Sequence, residues 1–145
     1  MNKNELLAEI GRIIDEVGTA VLGTVGPDNQ PDLRWVTPAL IRGRSGAVYM
    51  VTYRDSKKVK HLQDNPRVQW MFQTRVLDTI ITVDGRVNPL DIPSIRSEVL
   101  ESVSPRLHAF WKITPDERDL MVLETVIERA VYYKPMQGLK IPVEF

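Results

Sequence analysis

The sequence predicts a mainly β protein: a six-stranded antiparallel barrel with peripheral helices, forming one domain over residues 1–145. Three observations carry that expectation. Short β-branched or alternating apolar runs recur along the chain, clusters of Gly, Pro, Asn and Asp punctuate them as hairpin turns, and helical spacing is confined to a few segments. A chain of this length buries a core without disulfide or metal staples.

The elements follow in order. From Asn4 to Val17, Leu6, Leu7, Ile10, Ile13, Ile14 and Val17 recur at spacings of three and four, the apolar face of a helix that Gly18 ends. Thr19 to Val25 is β-branched and is followed by the turn cluster Gly26 to Pro31. Asp32 to Ile41 is the second strand, with an edge, an end or a bulge at Pro38, because proline cannot donate to a ladder. Gly43 to Gly46 closes a second hairpin into Ala47 to Thr52. Asp55 or Ser56 caps a short helix with apolar positions Val59 and Leu62, stopped by Asn65 and Pro66. Arg67 to Gln73 and Thr79 to Val87 are two more strands, with Asp84-Gly85 as a turn signal or a kink. Ile92 to Val103 has helical spacing, Pro105 to Trp111 can add a turn, and Thr114 can cap a segment beginning at Pro115. Met121 to Tyr133 is a strand long enough to cross a barrel, bent or bulged inside. Lys134 to Phe145 is left as an ordered tail.

Composition removes several function classes. Lys plus Arg and Asp plus Glu each number 19, so no global field recruits nucleic acid or an anionic membrane, and any anion site must be a local cluster. The absence of cysteine excludes thiolate metal sites and cysteine nucleophiles. His61 and His108 are the only imidazoles, each read as a hydrogen-bonded or solvated side chain rather than a metal ligand. Trp35, Trp70 and Trp111 are read as core or interface anchors, with Trp35 also a candidate to touch a ligand ring. The N-terminus lacks the pattern of a secretory signal and no apolar run approaches the ~20 residues of a membrane span, so a cytoplasmic location is expected.

The residues suited to chemistry gather where the third strand hands over to the short helix. Ser56, Lys57 and Lys58 combine a hydroxyl and two cations with the unpaired N–H groups of a helix start, which suits a phosphate. The alternative is a plain N-cap followed by two solvated lysines. Arg34, between Leu33 and Trp35 in a strand, needs a partner or a route to solvent, and an anion shared with the Ser56 region is one such partner. The alternative is an outward-facing side chain beside Asp32.

Arg34, Trp35 and Val36, then Val51 and Thr52, then Ser56, Lys57 and Lys58, with Leu62, Asn65, Pro66 and Val68 behind them, form an ordered pattern. It resembles the signature of the pyridoxamine-phosphate-oxidase-like split β-barrels, in particular the general-stress-protein branch. The resemblance implies an FMN-binding flavoprotein in which Arg34 meets the FMN phosphate and ribityl chain, and Trp35 and Val36 lie at the isoalloxazine edge. It also implies that Val51 and Thr52 lie near the flavin and that Ser56, Lys57 and Lys58 hold the phosphate. It further implies a homodimer with the cofactor at the subunit interface, and an oxidoreductase acting on an unknown small molecule. Non-catalytic flavin binding in a stress protein, or a barrel that uses F420 or haem, are the other readings. The pattern departs from the oxidase at Val51, where a tyrosine stands in that enzyme, and at Lys57, where arginine stands. It departs again at the C-terminus, Gly138 to Phe145, which lacks the arginine and histidine pair that recognises pyridoxal phosphate; Arg106, Leu107 and His108 match that pair only superficially.

Overall fold

The computed structural model describes residues 1–107 and 116–145. Helix α1 (Lys3–Val17) begins at a reciprocal cap, in which Asn2 Oδ1 accepts from the Glu5 amide at 2.8 Å and the Asn2 amide donates to Glu5 at 3.3 Å. It ends at Gly18, whose φ of 81° lies in the left-handed region that glycine enters without strain. Its buried face, Leu6, Ile10, Ile13 and Ile14, joins Trp70, Phe72, Ile81 and Val83 in the main core.

The strands are β1 (Ala20–Val25), β2 (Pro31–Val36), β3 (Ala47–Tyr53), β4 (Arg67–Gln73), β5 (Ile80–Leu90), β6 (Leu120–Lys134) and β7 (Leu139–Glu144). All pair antiparallel, in the order β2-β1-β4-β5-β6-β3, with β7 also on β6. The expected β class and helices are present, with the sheet left open as a split barrel. Three details differ from expectation. The tail expected after Lys134 is a seventh strand, because β6 outruns β3: Leu120–Val126 pairs with β3, and Arg129–Lys134 would expose an unpaired edge without β7. The second strand stops at Val36 instead of Ile41, so Pro38 marks an end. Strand β5 runs on to Leu90, with Asn88 and Pro89 opposite Glu124 and Leu123.

The expected irregularity in the long strand sits opposite Asp84-Gly85. Asp84 pairs with Arg129 and Gly85 with Ile127, so Glu128 is the extra, bulged residue. Glycine is required at position 85, since a Cβ there would collide with the Val126 carbonyl oxygen.

Helix α2 (Lys57–Asp64) and helix α3 (Pro93–Leu107) complete the described α-helices. Val59 and Leu62 of α2 are buried, as the spacing requires. Val99 and Val103 of α3 cover a second core with Tyr49, Ile41 and Val122. None of these helices is long and apolar enough to cross a membrane. His108, Trp111 and the segment capped by Thr114 lie outside the described residues.

Candidate functional site

Strands β2 and β3 are the two free ends of the sheet path, not hairpin neighbours as the Gly43 to Gly46 turn alone implies. The chain leaves β2 at Val36, crosses to the far edge, and meets β3 through one bridge. There the amides of Ala39 and Tyr49 each donate to the other's carbonyl at 2.8 Å. The glycines of the turn, Gly43 and Gly46, have φ of 83° and 82°. Because one bridge closes the two edges, the β2 and β3 ends stay apart and leave a cleft of about 290 Å³. Trp35, Val36 and Thr37 line one side, and Val51, Thr52 and Lys58 the other.

Lys58 lines this cleft, and Arg34, next to Trp35 on β2, is near enough for its charge to act on Lys58. Arg34 Nη1 donates to Thr24 Oγ1 at 2.8 Å and reaches the Leu22 carbonyl at 3.4 Å. Burial lowers its pKa, against a weaker pull upward from Asp32. Lys58 Nζ donates to Thr52 Oγ1 at 2.9 Å. Burial lowers the Lys58 pKa, and the nearby positive charge of Arg34 lowers it further, so the two groups feel each other. Among the described residues, no carboxylate lies within ion-pair distance of either. Two half-buried like charges without a counter-ion are costly, and an anion between them relieves that cost.

The remaining residues of the pattern divide by position. Ser56 caps α2, its hydroxyl 3.4 Å from the Val59 amide. Lys57 is exposed on the first turn, while Lys58 turns into the cleft. Val36 is buried and Trp35 is 73% exposed at the cleft rim. Trp70 is fully buried, stacked on Phe72 and donating to Thr125 Oγ1 at 3.0 Å, a core anchor. His61 Nδ1 is buried without a hydrogen bond, 3.8 Å from Asp32 Oδ2. No cluster of groups suited to a metal ion occurs among the described residues. Sequence reasoning passed over Thr24, although a hydroxyl in the inward series Ala20, Leu22, Thr24 is a visible break in an apolar pattern.

A wider concavity of about 760 Å³ lies on the outer sheet face, across Leu33, Gln69, Asp84 and Arg129. Asp84 there accepts from both Gln69 and Arg129 at 2.8 Å, and the carboxylates of Glu128 and Glu144 line the same concavity. The narrower cleft is the better candidate for an anionic ligand, because it has no carboxylate in its lining and Lys58 has no ion-pair partner among the described residues.

Comparisons with known proteins agree with this architecture. The family model described as pyridoxamine 5'-phosphate oxidase matches residues 6–133. No curated protein matches. Among solved structures, a Clostridium acetobutylicum protein related to general stress protein 26 of B. subtilis superposes with a TM-score of 0.76 at 15% identity, covering 97% of this chain and 95% of its own. A FAD-binding protein from Mesorhizobium loti gives 0.67 at 18% identity, with 85% of this chain and 90% of that one covered. A heme binding protein from Mycobacterium smegmatis gives 0.71 at 16% identity, with 94% and 56% covered. With a split sheet of this topology and a family match over most of its length, the chain belongs to the pyridoxamine 5'-phosphate oxidase family.

Proposed function

We propose that this protein binds FMN in the cleft between β2 and β3 and acts as a flavin-dependent oxidoreductase on a small molecule. The observation that carries the reading is the pair Arg34 and Lys58, half-buried, each held by a neutral threonine hydroxyl and without a carboxylate within ion-pair distance among the described residues. A phosphate dianion fits that pair. Ser56 at the start of α2 adds a hydroxyl and a helix N-terminus to the same side, and Lys57 adds longer-range charge. Val36 and Trp35 on one wall, with Val51 on the other, suit the flat apolar face of a ring. A bound flavin would supply the hydride or electron transfer. Lys58 is the one charged residue among those lining the cleft, so this chain's part is to bind, orient and polarise.

A homodimer belongs to the same reading. Leu33 and Trp35 are 74% and 73% exposed on the outer side of β2, next to the cleft, an apolar surface suited to a second copy that completes the site.

The test replaces Arg34 with Ala and compares FMN with riboflavin. Loss of a charge-assisted contact should weaken FMN binding by about 1.5–3 kcal/mol and leave riboflavin nearly unchanged. Equal losses for both ligands would remove Arg34 from the phosphate. Mass spectrometry of the ligand released from purified protein distinguishes FMN from F420 and haem.

A further inference from the structure

Thr24 lies 2% exposed on β1, continuing the inward series of Ala20 and Leu22, opposite Asp32 on β2 and Val68 on β4. A valine would have the same shape there, and a buried hydroxyl is costly unless it has a partner. Its partner is the Arg34 guanidinium, at 2.8 Å. The other contact of that guanidinium, to the Leu22 carbonyl, is at the long limit of 3.4 Å and falls on the same nitrogen, Nη1. Among the described residues, Nε and Nη2 therefore keep their donors unengaged. Across the cleft the arrangement repeats: buried Thr52 accepts from Lys58 at 2.9 Å. Each cation is held by a neutral hydroxyl on a strand. A carboxylate at either place would hold the cation equally well but cancel the charge an anion needs.

We infer that Thr24 is a positioning residue: its buried hydroxyl fixes the Arg34 guanidinium by one nitrogen and leaves its charge and remaining donors directed to an anion in the cleft. The inference rests on the flavin-phosphate reading for the identity of the anion, and on the Thr24–Arg34 contact alone for the ordering of Arg34.

Two measurements separate these. In the protein without flavin, the heteronuclear NOE of the Arg34 Nε–H should be that of a rigid side chain, fall in Thr24→Val and Thr24→Ala, and be retained in Thr24→Ser. In flavin titrations, Thr24→Val should raise the FMN dissociation constant about tenfold, the scale of one hydrogen bond to a charged group. Riboflavin should change less than about twofold, and Thr24→Ser should stay close to the parent for both ligands. Thr24→Ala serves if the valine variant fails to fold. An Arg34 signal as rigid in Thr24→Val and Thr24→Ala as in the parent overturns the inference, and so do equal losses for FMN and riboflavin in these variants. If the parent protein does not prefer FMN to riboflavin while Arg34 ordering still depends on Thr24, the flavin reading falls and the positioning role stands.

Discussion

Lys58 makes flavin affinity depend on pH in a calculable way. Burial, reinforced by Arg34, holds its pKa below the ordinary lysine value of 10.5 in the unliganded protein. A phosphate beside it favours the ammonium form, so binding raises that pKa again. FMN affinity is therefore greatest below the unliganded pKa and falls as pH rises through it, by up to about one decade per pH unit for the single proton involved. The total fall is limited by the interaction lost, about 1.5–3 kcal/mol, or roughly 10- to 150-fold at 1.36 kcal/mol per decade. The phosphate is fully ionised well above its second pKa of about 6, so it contributes no slope from pH 8 upward. Fluorescence titration of FMN between pH 8 and 10.5 measures the effect, with riboflavin as the control for ionisation of the ring. Lys58→Arg, whose charge persists throughout, should flatten the FMN-to-riboflavin ratio. A ratio that does not change with pH in the parent, or an equal slope in Lys58→Arg, refutes the argument. Stability of the unliganded protein runs the opposite way: a depressed lysine pKa means the fold gains stability as pH rises toward 10.5.

Other elements give further expectations. Tyr49 is fully buried and donates to Glu124 at 2.7 Å, so Tyr49→Phe should cost about 1–2 kcal/mol in urea unfolding. Burial pushes the Glu124 carboxyl up, but hydrogen bonds from Arg44 and Tyr49 outweigh it and hold the group below its ordinary 4.5. Its contribution is thus complete above pH 4.5 and lost as pH falls below, and Glu124→Gln should flatten that acid limb of the unfolding curve. Gly85→Ala, which drives a methyl against the Val126 carbonyl, should destabilise by about 1–3 kcal/mol in the same assay, and a neutral result would show that the bulge yields. If FMN is shared between two chains, dilution should release flavin together with dissociation in sedimentation velocity. FMN at about a hundred times its dissociation constant should stabilise the assembly by roughly 2.7 kcal/mol per site. Flavin sedimenting with a species of monomer mass excludes a shared site.

The elements that were legible in the sequence are those whose signals are local. Leu6 to Val17 announces a helix by spacing, Ser56 announces a cap, and Asp84-Gly85 marks the kink through the only side chain small enough for it. What stayed hidden depends on contacts distant along the chain. Leu139, Ile141 and Val143 alternate with Lys140, Pro142 and Glu144, but Pro142 inside so short a run argues against a strand, and its place on the sheet is supplied by β6, which outlasts β3. The expectation that Arg34 and the Ser56 end of the third strand converge was built on a hairpin between their strands, a route the fold does not take. A hairpin at Gly43 to Gly46 reads as strand adjacency, whereas the chain spans the open side of the barrel. Lys57 and Lys58 look equivalent in the sequence, and the helix turn separates them into an exposed and an inward group.

The Ala39–Tyr49 bridge gives the molecule an adjustable aperture. Along the rest of the path each strand pairs with its neighbour over several residues, whereas among the described residues the segment leaving β2 is joined to β3 by one bridge of two hydrogen bonds. Thr37 and Pro38 are the tether between Val36, at the end of β2, and that knot, and they belong to no strand register. Lengthening this two-residue span by one would add up to about 3.5 Å of chain between Val36, which packs in the main core, and Ala39, which packs in the second. Hydrogen exchange at the Ala39 amide would report how often the knot slips. A scaffold built this way can be refitted to ligands of different breadth by changing the length of one short tether.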